Sequence, residues 1–589
     1  MIRAGIFIGV DQTGNLQKLH DAASGARRMR DWALSQGFTE ARAILMTDAG
    51  GQKVRADDIY QAVTTLLDGA GVDQLIVYFA GHGVTINRRE RWLLTDAPRN
   101  PSAAVNVTGS AEAARWCGAR HVIFISDACR VPPEGIQAQN VQGIEIVPNE
   151  GTSDRSRPVD QFFACLVGST AAEIKDPAAA AGGFSALYTD ALLDGLKGLH
   201  AEILEGPTEE NDSALYVKPA KLEQYLEREV PERVLRRNLT GRVNQNPDAI
   251  LTVHPYWLAR IDKVPAPLRR IRSTRSARVT PPVPTVRTLI DEMVQAVIAG
   301  GHDLSGELAR MKASRVPDVE AVVQTAEEVA APFGPDHLES ECGIKVRGAA
   351  VAGAYCARAG CRIGERGDLV WVDLHPERAA SVLITFDNKT GALVPAIKDF
   401  IAALTFEAGE LVDLSYEVSQ NTARWRAFSE YPQRMGEVRR LRAVIAAASR
   451  HGRFRLDDEG AMAIARRMQL SKGVDPTLAV SAAYAFHDLQ ANERIREMSK
   501  YLQEDLGIAL FDVELLARHL IDRQLGPGDG VVPFLPLCGQ GWALLGAHRV
   551  RLPDRLRGIQ TTVRDSLWSL YDERGCELLM QAIEAGEVL

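Results

Sequence analysis

The chain has 589 residues, more than one hydrophobic core can serve, and its 46% hydrophobic and 24% charged content is that of a folded globular protein. A formal charge of −8 excludes the strongly basic coat of a nucleic-acid-binding surface, and no stretch approaches the roughly 18 apolar residues that span a bilayer. The apolar run at 6–10 is too short for a secretion signal, so the expectation is a cytoplasmic protein without a membrane segment.

In chain order, the first 255 residues alternate strand-like and helix-like segments. AGIFIGV at 4–10 is followed by helical spacing over 16–36, and the apolar run 43–46 by a helix near 57–67. QLIVYFAG is the third strand, with a helix around 110–117 behind it; 121–126 and FFACLVG at 162–168 are the fourth and fifth. Helices at 184–197 and 218–236 precede the short run AILTV. Such alternation predicts a mostly parallel sheet with helices on both faces. Neither GxGxxG nor a GK[ST] loop follows the first strand, which removes the nucleotide-binding versions of this pattern.

The rhythm breaks at 262–286, where proline, arginine and serine dominate and no aromatics interleave the arginines; this reads as a linker rather than a nucleic-acid contact. Beyond it, Thr288 to Asp291 has the form of a capping box. Residues 342–418 alternate apolar with polar residues, with a hairpin turn at 388–391, and predict a small antiparallel sandwich. From 422 the periodicity is helical, and Asp475-Pro476 is a cap and first-turn pair. The expected domains are therefore 1–258, a linker 259–286, a helical segment 287–341, a β-rich domain 342–420 and a mainly helical region 421–589. Eight scattered cysteines indicate free thiols in a reducing compartment. Cys356 and Cys361, the one close pair, lack the companions of a zinc site.

Two strands end on reactive side chains. VYFAGHG stops at His82 and VIFISDACR at Cys129. In an open parallel sheet the carboxyl ends of strands border the crevice where chemistry gathers. If the two strands are neighbours, a thiol nucleophile and an imidazole share that crevice. Glycines 81 and 83 would admit a substrate backbone, and the N–H groups of Gly83 and Cys129 could hold an oxyanion.

These motifs resemble the caspase-like cysteine peptidases, the clan of caspases, metacaspases and bacterial orthocaspases. YFAGHG resembles the family's histidine motif and SDACR its cysteine motif, at the separation expected for the family. RWLLTDA at 91–97, FSALYTDALLDGL at 184–196 and QNPDAI at 245–250 are similar to further family segments. The resemblance covers about residues 1–255. It implies an α/β caspase-like sandwich, Cys129 as nucleophile and His82 as general acid–base in a cysteine endopeptidase acting on a protein or peptide substrate. Asp127, two residues before the nucleophile, would line the S1 pocket and select Arg or Lys, for which a buried carboxylate is a natural complement. Gly25 stands where metacaspases usually carry a second acidic residue, and Asp21 is the nearby carboxylate that could substitute.

Relatives often cut themselves in the loop after the cysteine strand. Arg155 is the candidate there, because Arg157 precedes a proline. No EF-hand loop is present, and neither an obligatory metal nor another cofactor is expected. By the same resemblance, the region after the linker would receive an activating protein or small-molecule signal, or dock a substrate, in bacterial stress, cell-death or antiphage responses. The alternative is a catalytically silent scaffold that recruits partners through that region.

Overall fold

The computed structural model describes the chain outside 129–140, 149–155, 166–176, 207–213, 237–246, 263–288, 294–303, 331–340, 451–457 and a few shorter gaps. Two compact units result, Met1–Pro281 and Pro282–Leu589. Cys129, Arg155 and most of the 259–286 linker lie outside the described residues, as do Thr288 and Asp291 of the expected capping box.

The first unit begins with β1 (Arg3–Gly9), α1 (Ala22–Ser35), β2 (Ala43–Thr47), α2 (Ala56–Leu67) and β3 (Gln74–Gly81). A three-stranded meander follows: β4 (Gly83–Ile86), β5 (Arg89–Leu93) and β6 (Ala104–Asn106). Then come α3 (Val107–Ala114), β7 (His121–Ala128), β8 (Val159–Phe163) and α4 (Pro177–Leu196). The unit is completed by β9 (Leu204–Glu205), β10 (Leu215–Val217), α5 (Pro219–Arg236), β11 (Asp248–Ile250) and β12 (Ala259–Ile261).

The main sheet has the order β11-β8-β7-β3-β1-β2. All its pairings are parallel except β11 with β8. Period-two alternation divides the side chains between two cores. Ile6, Ile8, Val77, Phe79, Val122 and Phe124 pack with residues of α2 and α3, whereas Phe7, Ile76, Tyr78, Ile123 and Ile125 pack with α1, α4 and α5. Because both faces are covered, the central strands read as continuous apolar runs. A mixed, mostly parallel sheet flanked by helices fits the expected α/β sandwich.

One strand is displaced from its expected position. The fifth was placed on FFACLVG at 162–168, but β8 begins at Val159 and ends at Phe163. Asp160 and Gln161 look like loop residues, yet both are buried, Asp160 completely. A partner found only in the fold, described below, permits this.

The second unit opens with α6 (Leu304–Ala313) and α7 (Val319–Ala330), then β13 (Gly343–Arg347), β14 (Val351–Tyr355), β15 (Gly360–Ile363) and β16 (Leu369–Asp373). β17 (Ala379–Phe386), β18 (Gly391–Ile397), β19 (Phe400–Glu407) and β20 (Glu410–Val418) follow. They form two sheets, β15-β16-β13-β19-β20 and β14-β17-β18. Pairing is antiparallel throughout except for β13 with β19, a departure from the all-antiparallel expectation. The hairpin at 388–391 is fixed locally: Asn388 Oδ1 accepts from the N–H of Thr390 at 3.1 Å and its hydroxyl at 2.6 Å.

Helices α8 (Ala423–Ala427), α9 (Tyr431–Arg450), α10 (Asp458–Ser471), α11 (Thr477–Asp488) and α12 (Asn492–Tyr501) come next. The rest is shorter elements, ending in the helix Glu573–Glu584. Asp475 caps α11 by accepting from the N–H of Thr477 at 2.9 Å, and its other oxygen accepts from Arg442 Nε of α9 at 2.6 Å. Arg442 also donates to the carbonyl of Tyr416 and lies 3.5 Å from Glu417 Oε1, both on β20, so a buried charge cluster ties sheet to helices. Removing its shortest carboxylate contact leaves the buried guanidinium underpaired. Asp475→Ala is therefore expected to destabilise the second unit by about 3 kcal/mol, measured by calorimetric unfolding of the full chain.

Candidate active site

β3 and β7 are adjacent and parallel, paired from Gln74↔His121 to Gly81↔Ala128. His82 follows directly on β3 and is buried, with its carbonyl accepting from Leu93 N–H at 2.9 Å. Gly83 opens β4 and pairs with Trp92 of β5. Trp92 stacks on Phe79 of β3 at 4.8 Å between centroids, and its indole N–H reaches Glu90 Oε1 and Ser126 Oγ, both at 2.9 Å. The meander is thus anchored beneath the histidine. Gly81 has a packing role: a Cβ there would stand 2.6 Å from the Phe79 ring and 3.3 Å from the carbonyl of Val10. Its lack of a side chain serves the sheet, so the substrate-access role expected for it is not needed to explain it.

Asp127 lies on the α1/α4 face of β7 and is 2% exposed. Thr189 of α4 donates its hydroxyl proton to Asp127, and Tyr78 of β3 donates to Thr189 Oγ1 at 2.6 Å. A buried carboxylate is costly unless hydrogen-bonded, and this chain supplies a charge-assisted bond. Burial, and then the Asp127 charge, push the Tyr78 phenol well above its ordinary range, so it remains a neutral donor. Gly25 of α1 lies over this chain: a Cβ there would stand 3.0 Å from the Tyr78 hydroxyl. One turn later Arg28 pairs with Asp190 of α4.

Asp21 occupies the N-cap position of α1, where its carbonyl accepts from Gly25 N–H at 2.7 Å and its side chain makes no cap. Among the described residues the hydrogen bonds of Asp127 do not include it. Sequence reasoning missed Thr189, Tyr78 and Cys165. Cys165 is a half-buried thiol two residues past the end of β8, at the same edge of the sheet as His82.

A second polar cluster sits at the opposite, amino end of these strands. Asp160 Oδ2 accepts from His121 Nε2 of β7 and from His254 Nε2, each at 2.8 Å. Oδ1 accepts from the N–H of Thr252 at 3.0 Å. These three side chains are the one group among the described residues with ligand atoms close enough for a metal, all within 4.8 Å. The hydrogen-bond pattern opposes that use. Gln74 must accept from Arg3 through Oε1, so its amide nitrogen faces His121 Nδ1 at 3.2 Å and the Trp257 carbonyl at 2.7 Å. His254 Nδ1 likewise accepts from Tyr256 N–H at 3.1 Å. Both imidazoles are therefore neutral with the proton on Nε2, the nitrogen a metal would require bare. The cluster is a latch that holds Thr252, His254 and Trp257 against the sheet.

Burial, opposed by Asp160 and reinforced by His254 and Arg3, lowers the pKa of His121. For Asp160 burial acts upward, and the two imidazole donors outweigh it, holding the carboxyl at about 2. An unfolded histidine takes up its proton near pH ~6.5, whereas folded His121 does not. Stability is thus expected to fall as pH drops below that point, and to fall again as it passes the ordinary carboxylate range toward about 2. Urea midpoints between pH 7.5 and 5 check the first step: His121→Gln should flatten the pH dependence, while added zinc or a chelator leaves the midpoint unchanged.

No protein-family model and no curated protein matches the chain. Solved structures to which it is similar include the protein GSU0716 from Geobacter sulfurreducens, at 14% identity over 42% of this chain and 92% of that one, TM-score 0.27. Caspase-1 from Spodoptera frugiperda is similar at 11% identity over 42% and 85%, also with a TM-score of 0.27. Likenesses at that score carry no weight against the residues themselves.

Proposed function

We propose that residues 1–258 form a caspase-like cysteine endopeptidase with His82 and Cys129 as its dyad. The observation that carries this is the register of β3 and β7. Pairing runs to Gly81↔Ala128, the residues that precede His82 and Cys129 in sequence, which supports a shared carboxyl edge for the two motifs. In this reading the Cys129 thiolate attacks the scissile carbonyl, and the N–H groups of Gly83 and Cys129 stabilise the oxyanion. The imidazolium of His82 gives its proton to the leaving amine as the C–N bond breaks and a thioester remains. Water then hydrolyses the thioester, His82 taking the water proton, and the thiol is restored.

Asp127 supports a basic P1 preference: it is a carboxylate held ready by Thr189, and a guanidinium is its strongest complement. Asp21, at the N-cap position of α1, is the further S1 candidate. Arg155 is the candidate self-cleavage site. In the same reading the second unit receives the activating protein or small molecule, or docks the substrate protein, in a bacterial stress, cell-death or antiphage response. No helix among the described residues is long and apolar enough to cross a membrane.

The test compares wild type, Cys129→Ala and Asp127→Asn on peptides with Arg, Lys or Asp at P1, alongside labelling by a peptidyl electrophile carrying P1 Arg. Expected are turnover after Arg and Lys, none in Cys129→Ala, stoichiometric label on Cys129, and a loss of about a hundredfold in kcat/KM for Arg in Asp127→Asn. Wild type that neither turns over nor takes the label is the silent scaffold. Fragments ending at Arg155 in wild type, absent from Cys129→Ala, are the expected sign of self-cleavage.

A further inference from the structure

Gly83 has no side chain to hold it, so the aim of its N–H depends on the strands around it. Leu93 N–H donates to the carbonyl of His82 at 2.9 Å. That bond makes Gly83↔Trp92 a non-hydrogen-bonded pair of the β4–β5 ladder, in which both N–H groups point away from the partner strand. β4 is an outer strand of its sheet, so no ladder bond of that sheet uses the Gly83 N–H. Directly opposite stands Trp92, whose side chain is fixed from three directions. Phe79 of β3 stacks on its ring at 4.8 Å between centroids. The indole N–H reaches Glu90 Oε1 and Ser126 Oγ, both at 2.9 Å, and the Ser126 hydroxyl donates to Glu90 Oε1. Glu90, Trp92 and Ser126 thus close a ring of hydrogen bonds, and all three are buried. Glu90 and Trp92 belong to β5, whereas Ser126 belongs to β7, three residues before Cys129 in sequence. Apolar residues of the same shape would hold two strands together about as well as a buried carboxylate with its donors, so the value of the ring lies in the alignment it fixes.

We propose that Glu90 is a positioning residue: by holding Trp92 of its own strand and Ser126 of the nucleophile's strand, it sets the Gly83 N–H against the strand that leads to Cys129 and keeps the two oxyanion donors aligned. This rests on the peptidase reading above. Oxyanion stabilisation depends on donors that are in place before the charge develops, and a misplacement of about 1 Å is enough to lose much of it. The influence of Glu90 passes through Trp92 to Gly83, so loosening it spares ground-state binding and slows the chemical step. An ionised carboxylate suits the task because it only accepts, and both of these partners donate to it. Glutamine keeps one accepting oxygen for them, whereas leucine keeps none.

The experiment measures kcat and KM of full-length wild type, Glu90→Leu, Glu90→Gln and Ser126→Ala on a peptide with Arg at P1, together with the melting temperature of each protein. The same proteins are titrated with a peptidyl aldehyde carrying P1 Arg, whose thiol adduct puts an oxygen where the oxyanion forms, and alkylated with iodoacetamide, which needs no such oxygen. Expected in Glu90→Leu and Ser126→Ala is a fall in kcat of about tenfold with KM within about twofold, a matching loss of aldehyde affinity, and an unchanged rate of alkylation at Cys129. Glu90→Gln should return to within about threefold of wild type. Folded variants with unchanged kcat overturn the assignment, leaving the ring a structural contact and the peptidase reading standing. An equal loss in alkylation rate also overturns it, because the effect then falls on the thiol. If Glu90→Leu does not fold, Ser126→Ala decides by the same criteria. A wild type that neither cleaves the peptide nor binds the aldehyde overturns the peptidase reading and this assignment with it.

Discussion

Eight residue pairs hold β3 against β7, and their register sets what can meet at each end of the first unit. A strand shifted by one residue turns every side chain to the opposite face. Here that would carry Asp127 away from Thr189 into the core of Phe79 and Trp92, and push Ser126 under the helices. The carboxylate could not be buried there without new donors. Hydrophobic alternation and polar satisfaction therefore select the same pairing, and the His82 edge inherits its geometry from that agreement.

The pairing also joins two sites with opposite purposes. At its amino end, Gln74 and His121 are partners in the register and in the latch around Asp160; at its carboxyl end stand His82 and Asp127. Seven residue steps along a strand separate them by roughly 23 Å. The latch saturates every lone pair and proton it uses, which suits a fastening and excludes turnover. On the Asp127 side, Tyr188, beside Thr189 in sequence, keeps a buried hydroxyl without a partner among the described residues. Polar groups that are all matched stabilise a fold, whereas those left with capacity belong where something else must bind.

Much of this was legible in the chain itself, and the exceptions have a common cause. VYFAGHG and VIFISDACR announce buried strands with abrupt polar ends, and both became strands with those limits as far as the structure describes them. β8 was misplaced because Asp160 carries a loop signature; only the folded arrangement brings His121 and His254, 39 and 94 residues away, to neutralise its cost. Thr189, Tyr78 and Gly25 come from three different elements, and no local pattern connects them. Glycine at 81 was legible as a residue but not as a reason, since the ring it accommodates belongs to its own strand two positions earlier. In the second unit, Asp475 was readable as a cap, while its bond to Arg442 depends on a helix 33 residues upstream.

Gly25 sets a rule for how this architecture can diverge. Its missing side chain leaves space that the Tyr78 hydroxyl fills, so a larger residue at position 25 and a tyrosine at position 78 compete for one volume. A larger residue there requires the Tyr78 ring or the helix to give by a few tenths of an ångström, so position 25 sets how closely α1 can lie over the Tyr78–Thr189–Asp127 chain.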